Sequence, residues 1–236
     1  MNPLPWLDEH SIEFPPINTA LSEPAGLLAA GGDLSIPRLI EAYKRGIFPW
    51  YERDQPILWW SPEPRSVLFP DQFKISNSLS KTLKQNKFEI RLDTAFKRVI
   101  TACSQPREYS PETWITDDMI EAYLHLHDHG VAHSIECYLD SQLVGGLYGM
   151  ALGKLFFGES MFHTKTDASK VAFAFLCRLM REHDCPLIDC QIPNDHLMTL
   201  GATSISRVEF SEYLRQFVDV PDQPDWSSFP DVFSPW

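Results

Sequence analysis

Three strand-like segments follow one another with almost nothing between them: AHSIECYLD (132–140), QLVGGLYGMAL (142–152) and KLFFGESMF (154–162). Tight turns at Asp140-Ser141 and Leu152-Gly153 send the chain straight back on itself, so the spacing predicts an antiparallel three-strand meander. A helix over about 167–183 follows, with Val171, Phe175 and Leu179 on one face. Next comes LIDCQIPND (187–195), where Leu187, Ile188, Cys190 and Ile192 read as a buried strand that Asp189 and Gln191 interrupt. Alternation puts these two polar side chains on one face, about 7 Å apart, and turns Cys190 and Ile192 into the core. A carboxylate and an amide at the end of a core strand are costly unless hydrogen-bonded. They either tie down the turn at Pro193-Asn194 or belong to a site.

Upstream the chain changes character. Residues 1–65 are rich in proline, glycine and tryptophan and are expected to form a small N-terminal domain; residues 66–236 read as a regular α/β domain with an irregular tail. GLLAAGGDLS (26–35) is turn-rich and leads into a helix capped by Ser35, with Leu39, Ile40 and Tyr43 on its apolar face. It lacks the spacing of a phosphate loop. RGIFPW (45–50) ends that helix at Gly46 and presents Trp50, and WWSPEPR (59–65) leads out. Beyond it, SVLF (66–69) and FEIRL (88–92) read as strands. Ser76 caps a helix bearing Lys81 and Lys84, and Asp93 caps another to about Cys103. The loop QPREYSPETWIT (105–116) precedes a helix over about 117–128, and Ser206-x-x-Glu209 is a capping box. The tail from Asp219 is expected to pack. A meander, a helix, then a further strand and helix is the layout of the acetyltransferase-like mixed sheet, an analogy of element order alone.

Several function classes are disfavoured. No apolar run approaches membrane-spanning length and the start lacks a signal peptide's basic and apolar regions, so a soluble, cytoplasmic protein with no membrane partner is expected. Five cysteines without a CxxC pair suit reduced thiols better than a disulfide framework or a zinc site. His125, His127, His129 and His133 lack a metal-binding pattern, so no metal is expected. Cys190 and His196 do not read as a thiol nucleophile, because the thiol sits among apolar neighbours. A net charge of −12 argues against broad nucleic-acid binding but leaves room for a local basic patch. Glu159, lone in an apolar strand, needs a partner: either an internal cation such as Lys170 or a ligand, with Gly158 marking a bulge that re-aims it. The loop tryptophans read as anchors for irregular chain, or as stacking surfaces for bases.

Taken in order, GLLAAGGDLS, RGIFPW, WWSPEPR, TWIT, AHSIE, LVGGLYG, FFGESMF, ASK and LIDCQIPNDHL resemble the bacterial leucyl/phenylalanyl-tRNA–protein transferase family from about Glu23 to Gly201. The resemblance implies a small N-terminal domain followed by an acetyltransferase-like domain. It also implies an enzyme that moves leucine or phenylalanine from leucyl-tRNA or phenylalanyl-tRNA onto proteins with N-terminal Arg or Lys, marking them for degradation. Carried over by position, Asp189 and Gln191 match the proposed catalytic pair. Trp50 and Trp114 match tryptophans holding the tRNA's 3′ adenosine. Leu147, Phe156, Met161, Leu176, Met180 and Ile188 match the pocket for the aminoacyl side chain. Glu159 matches a carboxylate suited to a cationic acceptor, and Lys81 and Lys84 lie on the tRNA-contacting helix. Asn77 and Gln85 depart from the family, which is often basic there; Lys74 or Lys87 are the candidates to compensate.

An aminoacyl ester is already activated, so no cofactor is expected. An ordinary Asp, pKa about 3.9, is a weak base for an ammonium. Asp189 is therefore expected to orient Gln191 and attract the ammonium more than to abstract its proton. A Met- and Leu-walled pocket is expected to take methionine too and to disfavour branching at Cβ. A monomer is expected. The alternatives are an acyl-CoA-dependent N-acetyltransferase on the same fold, which would want a glycine-rich turn where this chain has HTKTDASK (163–170), and a non-catalytic adaptor for basic N-termini.

Overall fold

Proline and glycine break the first 65 residues into short pieces. The computed structural model, which describes residues 4–106 and 113–226, pairs these pieces into a four-stranded sheet. Its strands β1 (Trp6–Leu7), β2 (Leu27–Gly31), β3 (Phe48–Pro49) and β4 (Leu58–Trp60) run in the order β1-β2-β4-β3. Helix α1 (Ile36–Lys44) crosses between β2 and β3, carrying Leu39 and Tyr43 fully buried. Ser35 stands at its start without a side-chain cap bond. Gly46 ends it in a left-handed turn (φ 73°), which a side chain would strain. Trp59 is an anchor in full: no part is exposed, its Nε1 donates to the Gly31 carbonyl at 2.8 Å, and Phe14 meets it edge to face.

The larger sheet begins at β5 (Arg65–Leu68), followed by α2 (Asn77–Lys84), β6 (Glu89–Leu92), α3 (Phe96–Cys103) and α4 (Asp117–Asp128). The meander is β7 (Ala132–Leu139), β8 (Gln142–Leu152) and β9 (Leu155–His163); then come α5 (Ala168–Glu182), β10 (Leu187–Gln191), α6 (Asp195–Thr199), β11 (Thr203–Ile205) and α7 (Arg207–Phe217). Spatial order is β11-β5-β10-β9-β8-β7-β6, antiparallel throughout except for the parallel pair β9·β10. Meander, helix, parallel strand and further helix follow in the acetyltransferase-like order expected of the sequence. Ser76, Thr116 and Ser206 accept from backbone N–H groups and cap α2, α4 and α7. Asp93 does not cap α3. Its left-handed backbone (φ 51°) turns the carboxylate to β7, where it takes the Ser134 N–H and the His133 ring, and α3 starts at Phe96 instead. The loop expected over 105–116 and the tail lie partly outside the described residues; within them, Trp226 is buried and stacks on His133 at 4.3 Å.

Alternation along β8 sorts side chains onto two cores. Leu147 packs with α2 and α5 on one face of the sheet; Tyr148 packs with α1, α3, α4 and α7 on the other, in the same cluster as the buried residues of the N-terminal sheet. Arg207 at the start of α7 ties the parts together by donating to the carbonyls of Ile17 and Ser61. Among the described residues no helix is long and apolar enough to cross a membrane.

The feature that makes a site is a divergence. β9 and β10 pair only from Leu155/Leu187 to Phe157/Asp189, while β9 runs on to His163 against β8 alone. Each strand carries an irregularity at the point of parting. Tyr148 pairs with Ser160 and Gly149 with Gly158, so Glu159 is the extra residue of a bulge. On β10 the register to β5 jumps between Asp189 and Gln191, and Gln191 is left-handed (φ 60°). A bulge shifts alternation by one residue and re-aims the side chain at its centre. Hence Phe157 and Met161, which strict alternation would put on one face, are found on opposite ones.

Candidate active site

The gap between the diverging strands is a cleft of about 720 Å³ that reaches both faces of the sheet. Asp189 closes its inner end and is fully buried. Arg65 from β5 grips it with Nε at 2.8 Å and Nη2 at 2.6 Å, and the Gln191 backbone N–H donates to it at 2.9 Å. The guanidinium is itself held by Phe48 and Phe210 over its faces, at 4.9 and 4.6 Å, and donates to the Gly46 carbonyl. Asp189 thus presents a neutralised pair to the cleft, and its hydrogen bond fixes the strained backbone of Gln191. The Gln191 side chain reaches across the gap: Nε2 donates to Glu159 Oε1 at 3.1 Å.

Glu159 is surrounded differently. Its Oε1 also accepts from the Tyr43 hydroxyl of α1, which in turn meets the Tyr123 hydroxyl of α4. Lys170, the internal cation considered for it, pairs with Asp167 at 3.5 Å instead. Burial pushes the Glu159 carboxyl up to about 7 against the pull of the two tyrosines; the Asp189 charge adds to the rise and Arg65 opposes it. Burial, followed by the Glu159 charge, holds both tyrosines well above their ordinary range. Tyr148 lines the same cleft, and its buried hydroxyl has no hydrogen-bond partner among the described residues.

On the α5 side, Leu147, Phe156, Met161, Leu176 and Ile188 form an apolar wall, with Phe173 and Cys190 completing it. Met180 is not part of that wall. It lies one helical turn beyond Leu176, in the core behind it, 1% exposed. Cys190, expected in the core and facing away from Asp189 and Gln191, is instead half-buried in the same cleft lining, where burial raises its thiol far above the usual range and disfavours the thiolate. Ile192 departs from expectation: the left-handed Gln191 ends the alternation and leaves it 39% exposed. Trp50 and Trp114 both line the cleft. Trp50 is 41% exposed, tilted against Trp60 at 5.5 Å, while Trp60 Nε1 donates to its carbonyl. Lys81 and Lys84 are exposed on α2, outside the cleft. Among the histidines, His127 stacks on Phe96 and bonds the Ala132 carbonyl, His129 bonds the His125 carbonyl, and His133 pairs with Asp93.

Sequence reasoning missed Arg65, Tyr43 and Tyr123. One signal was available for the first: a carboxylate inside a core strand demands a cation on a neighbouring strand. The tyrosines left only helical periodicity, which says core and nothing more.

Comparison with known proteins adds the following. Residues 67–215 match the family model described as leucyl/phenylalanyl-tRNA protein transferase, and residues 32–63 match the model of that family's N-terminal domain. A leucyl/phenylalanyl-tRNA–protein transferase from Pseudomonas putida (strain W619) is 53% identical over 225 residues, 95% of this chain and 100% of that one. Another from Pseudomonas aeruginosa (strain LESB58) is 54% identical over 94% of this chain and 98% of its own length. Among solved structures, a GCN5-related N-acetyltransferase from Kribbella flavida has a TM-score of 0.40 at 8% identity, covering 68% of this chain and 57% of that one. L-PGS from Bacillus licheniformis has a TM-score of 0.37 at 10% identity, covering 65% of this chain and 50% of that one.

Proposed function

This chain belongs to the leucyl/phenylalanyl-tRNA protein transferase family, and from that premise we propose that its cleft joins leucine or phenylalanine to the α-amine of proteins beginning with Arg or Lys, marking them for degradation. The observation that carries the reading is the junction of Glu159 and Gln191, set by two backbone irregularities between an apolar wall and an aromatic mouth. The aminoacyl side chain enters the apolar wall and the tRNA's terminal adenosine rests at Trp50 and Trp114. This sets the ester beside Gln191.

The amine attacks the ester carbonyl, the bond to the ribose oxygen breaks, the nitrogen loses a proton and the ribose oxygen gains one. An α-ammonium has a reference pKa near ~7.7–8.0. A carboxyl raised to about 7 lies within roughly one unit of it, close enough to take that proton at neutral pH. Glu159 therefore attracts the ammonium and accepts its proton. Asp189, already paired with Arg65, works through Gln191 by holding its backbone. The rest of the rate comes from placing amine and ester together. The same wall takes methionine, with discrimination among side chains unbranched at Cβ limited to about 1–3 kcal/mol.

An acyl-CoA donor fits poorly: the opening turn of α5, where its diphosphate would sit, holds the Asp167 carboxylate. The deciding assay uses labelled leucyl-tRNA with a substrate bearing N-terminal arginine and the same substrate bearing alanine. Transfer to the first alone is expected; transfer to neither would overturn the reading.

A further inference from the structure

We propose that a second, cationic cleft beside the active site carries the sugar–phosphate backbone of the donor tRNA's single-stranded 3′ end; this rests on the function proposed above. The cleft, about 860 Å³, lies between α3 and the ends of β8 and β9. Gln105, Met161 and His163 line both cavities, so the two abut. Lys97 and Arg98 stand on its α3 wall, His163 on the opposite one, and Thr101, Gln105 and Thr164 add neutral polar groups. Among the described residues no carboxylate lines it.

That is unusual company for cations in a chain of net charge −12. Every arginine outside this cleft that lies among the described residues is matched to a carboxylate, as Arg53 is to Asp117, Arg91 to Glu89 and Arg215 to Glu212. Lys97 and Arg98 are exposed, and neither makes an ion pair with a described residue; Arg98 reaches only the Tyr138 ring at 5.9 Å. The positive strip continues past the cleft. Lys165 follows Thr164, and Asp167 at the start of α5 accepts from Thr82 of α2, the helix bearing Lys81 and Lys84. The α3 pair supplies charge at the cleft itself, which Lys81 and Lys84 do not line.

The chemistry selects the occupant. A basic N-terminal acceptor is repelled from this wall, whereas a polyanion that must lead into the adjoining cleft is drawn along it. Phosphates held by Lys and Arg release counterions, so binding through them weakens with salt in proportion to their number.

The test is the Lys97→Ala/Arg98→Ala double variant. Both side chains are exposed and alanine favours helix, so folding is retained; unchanged thermal unfolding checks this. Two donors are compared: leucyl-tRNA, and leucyl-adenosine ester, which has the reacting end and no phosphate. With leucyl-tRNA, KM is expected to rise about tenfold at unchanged kcat, and the salt dependence of affinity to become shallower by about 1.4 in log–log slope, for two single-strand contacts. With leucyl-adenosine nothing changes. Unaltered KM and slope for leucyl-tRNA would overturn the proposal. So would an equal loss with both donors, which would mean the residues shape the cleft, or a change confined to the acceptor's KM, which would assign the groove to the peptide. Anisotropy of labelled tRNA separates the two readings. A wild type that binds tRNA without transferring leucine fails the proposed function, and the double variant's binding still decides the cleft.

Discussion

Asp189 and Glu159 face one cleft from neighbouring strands, and the fold gives them opposite company. Asp189 receives a bidentate guanidinium and a backbone N–H, with every part of it buried. Among the described residues Glu159 receives neutral donors, the hydroxyls of Tyr43 and Tyr123 and the Gln191 amide, and stays partly open to the cleft. One carboxylate is thereby committed as structure, while the other keeps a proton affinity that burial has moved to about 7. Two like groups made unlike by their surroundings is the recurring pattern of acid–base sites. Here the difference comes from chain geometry: β5 brings Arg65 against Asp189, and the bulge in β9 turns Glu159 away from that cation toward α1 and α4.

The largest effect is expected from breaking the committed member. Arg65→Met leaves a buried carboxylate without its cation, and urea unfolding should show a loss of about 3–5 kcal/mol. Asp189→Asn leaves one oxygen where Arg65 and the Gln191 N–H now share two, so the buried pair shifts, Gln191 is displaced, and turnover is expected to fall on the order of 10²-fold. Retention of most turnover would remove Asp189 from the mechanism. Glu159→Gln attacks the other member: kcat/KM should drop about 10²–10³-fold, and the pH limb near 7 should vanish. In the wild type, activity rises as pH passes about 7, because the ionised form takes the proton. Stability runs the other way. The folded carboxyl holds its proton more tightly than the unfolded one, so stability falls as pH rises from the ordinary glutamate value toward about 7. Glu159→Gln should flatten that slope in denaturant titrations at several pH values.

How much of this was legible beforehand follows from what alternation encodes. The meander was written in two tight turns, and the caps at Ser76 and Ser206 in local chemistry. Asp189 and Gln191 stood out as polar residues in an apolar run. Glu159 stood out likewise, with Gly158 marking its bulge. What lay beyond local pattern was partnership. Arg65 lies 124 positions from Asp189, Tyr43 lies 116 from Glu159, and no period links them. Met180 shows the converse limit: its helical spacing put it on the apolar face with Leu176, but only the position of the cleft along α5 separates wall from core. Asp93 and Ile192 departed from expectation because left-handed residues broke the regular geometry that each reading assumed.

Two tyrosines sharpen the comparison at smaller scale. Tyr43→Phe removes a donor that stabilises ionised Glu159, so the midpoint of the activity limb should move to higher pH, with a stability cost of about 1–2 kcal/mol. A midpoint that stays put would detach Glu159 from the titration seen in activity. Tyr148 lies in the same aromatic group, edge-on to Tyr123 at 5.6 Å, but its buried hydroxyl has no partner among the described residues. Tyr148→Phe keeps the ring and relieves an unmatched polar atom, so unfolding in urea should show no loss, or a gain of up to about 1 kcal/mol. The pH midpoint should also stay where it is, since this hydroxyl does not donate to Glu159. If Tyr148→Phe instead lost more than about 1 kcal/mol, its hydroxyl would belong to a hydrogen-bonded network. The neutral donors around Glu159 would then extend beyond Tyr43, Tyr123 and Gln191.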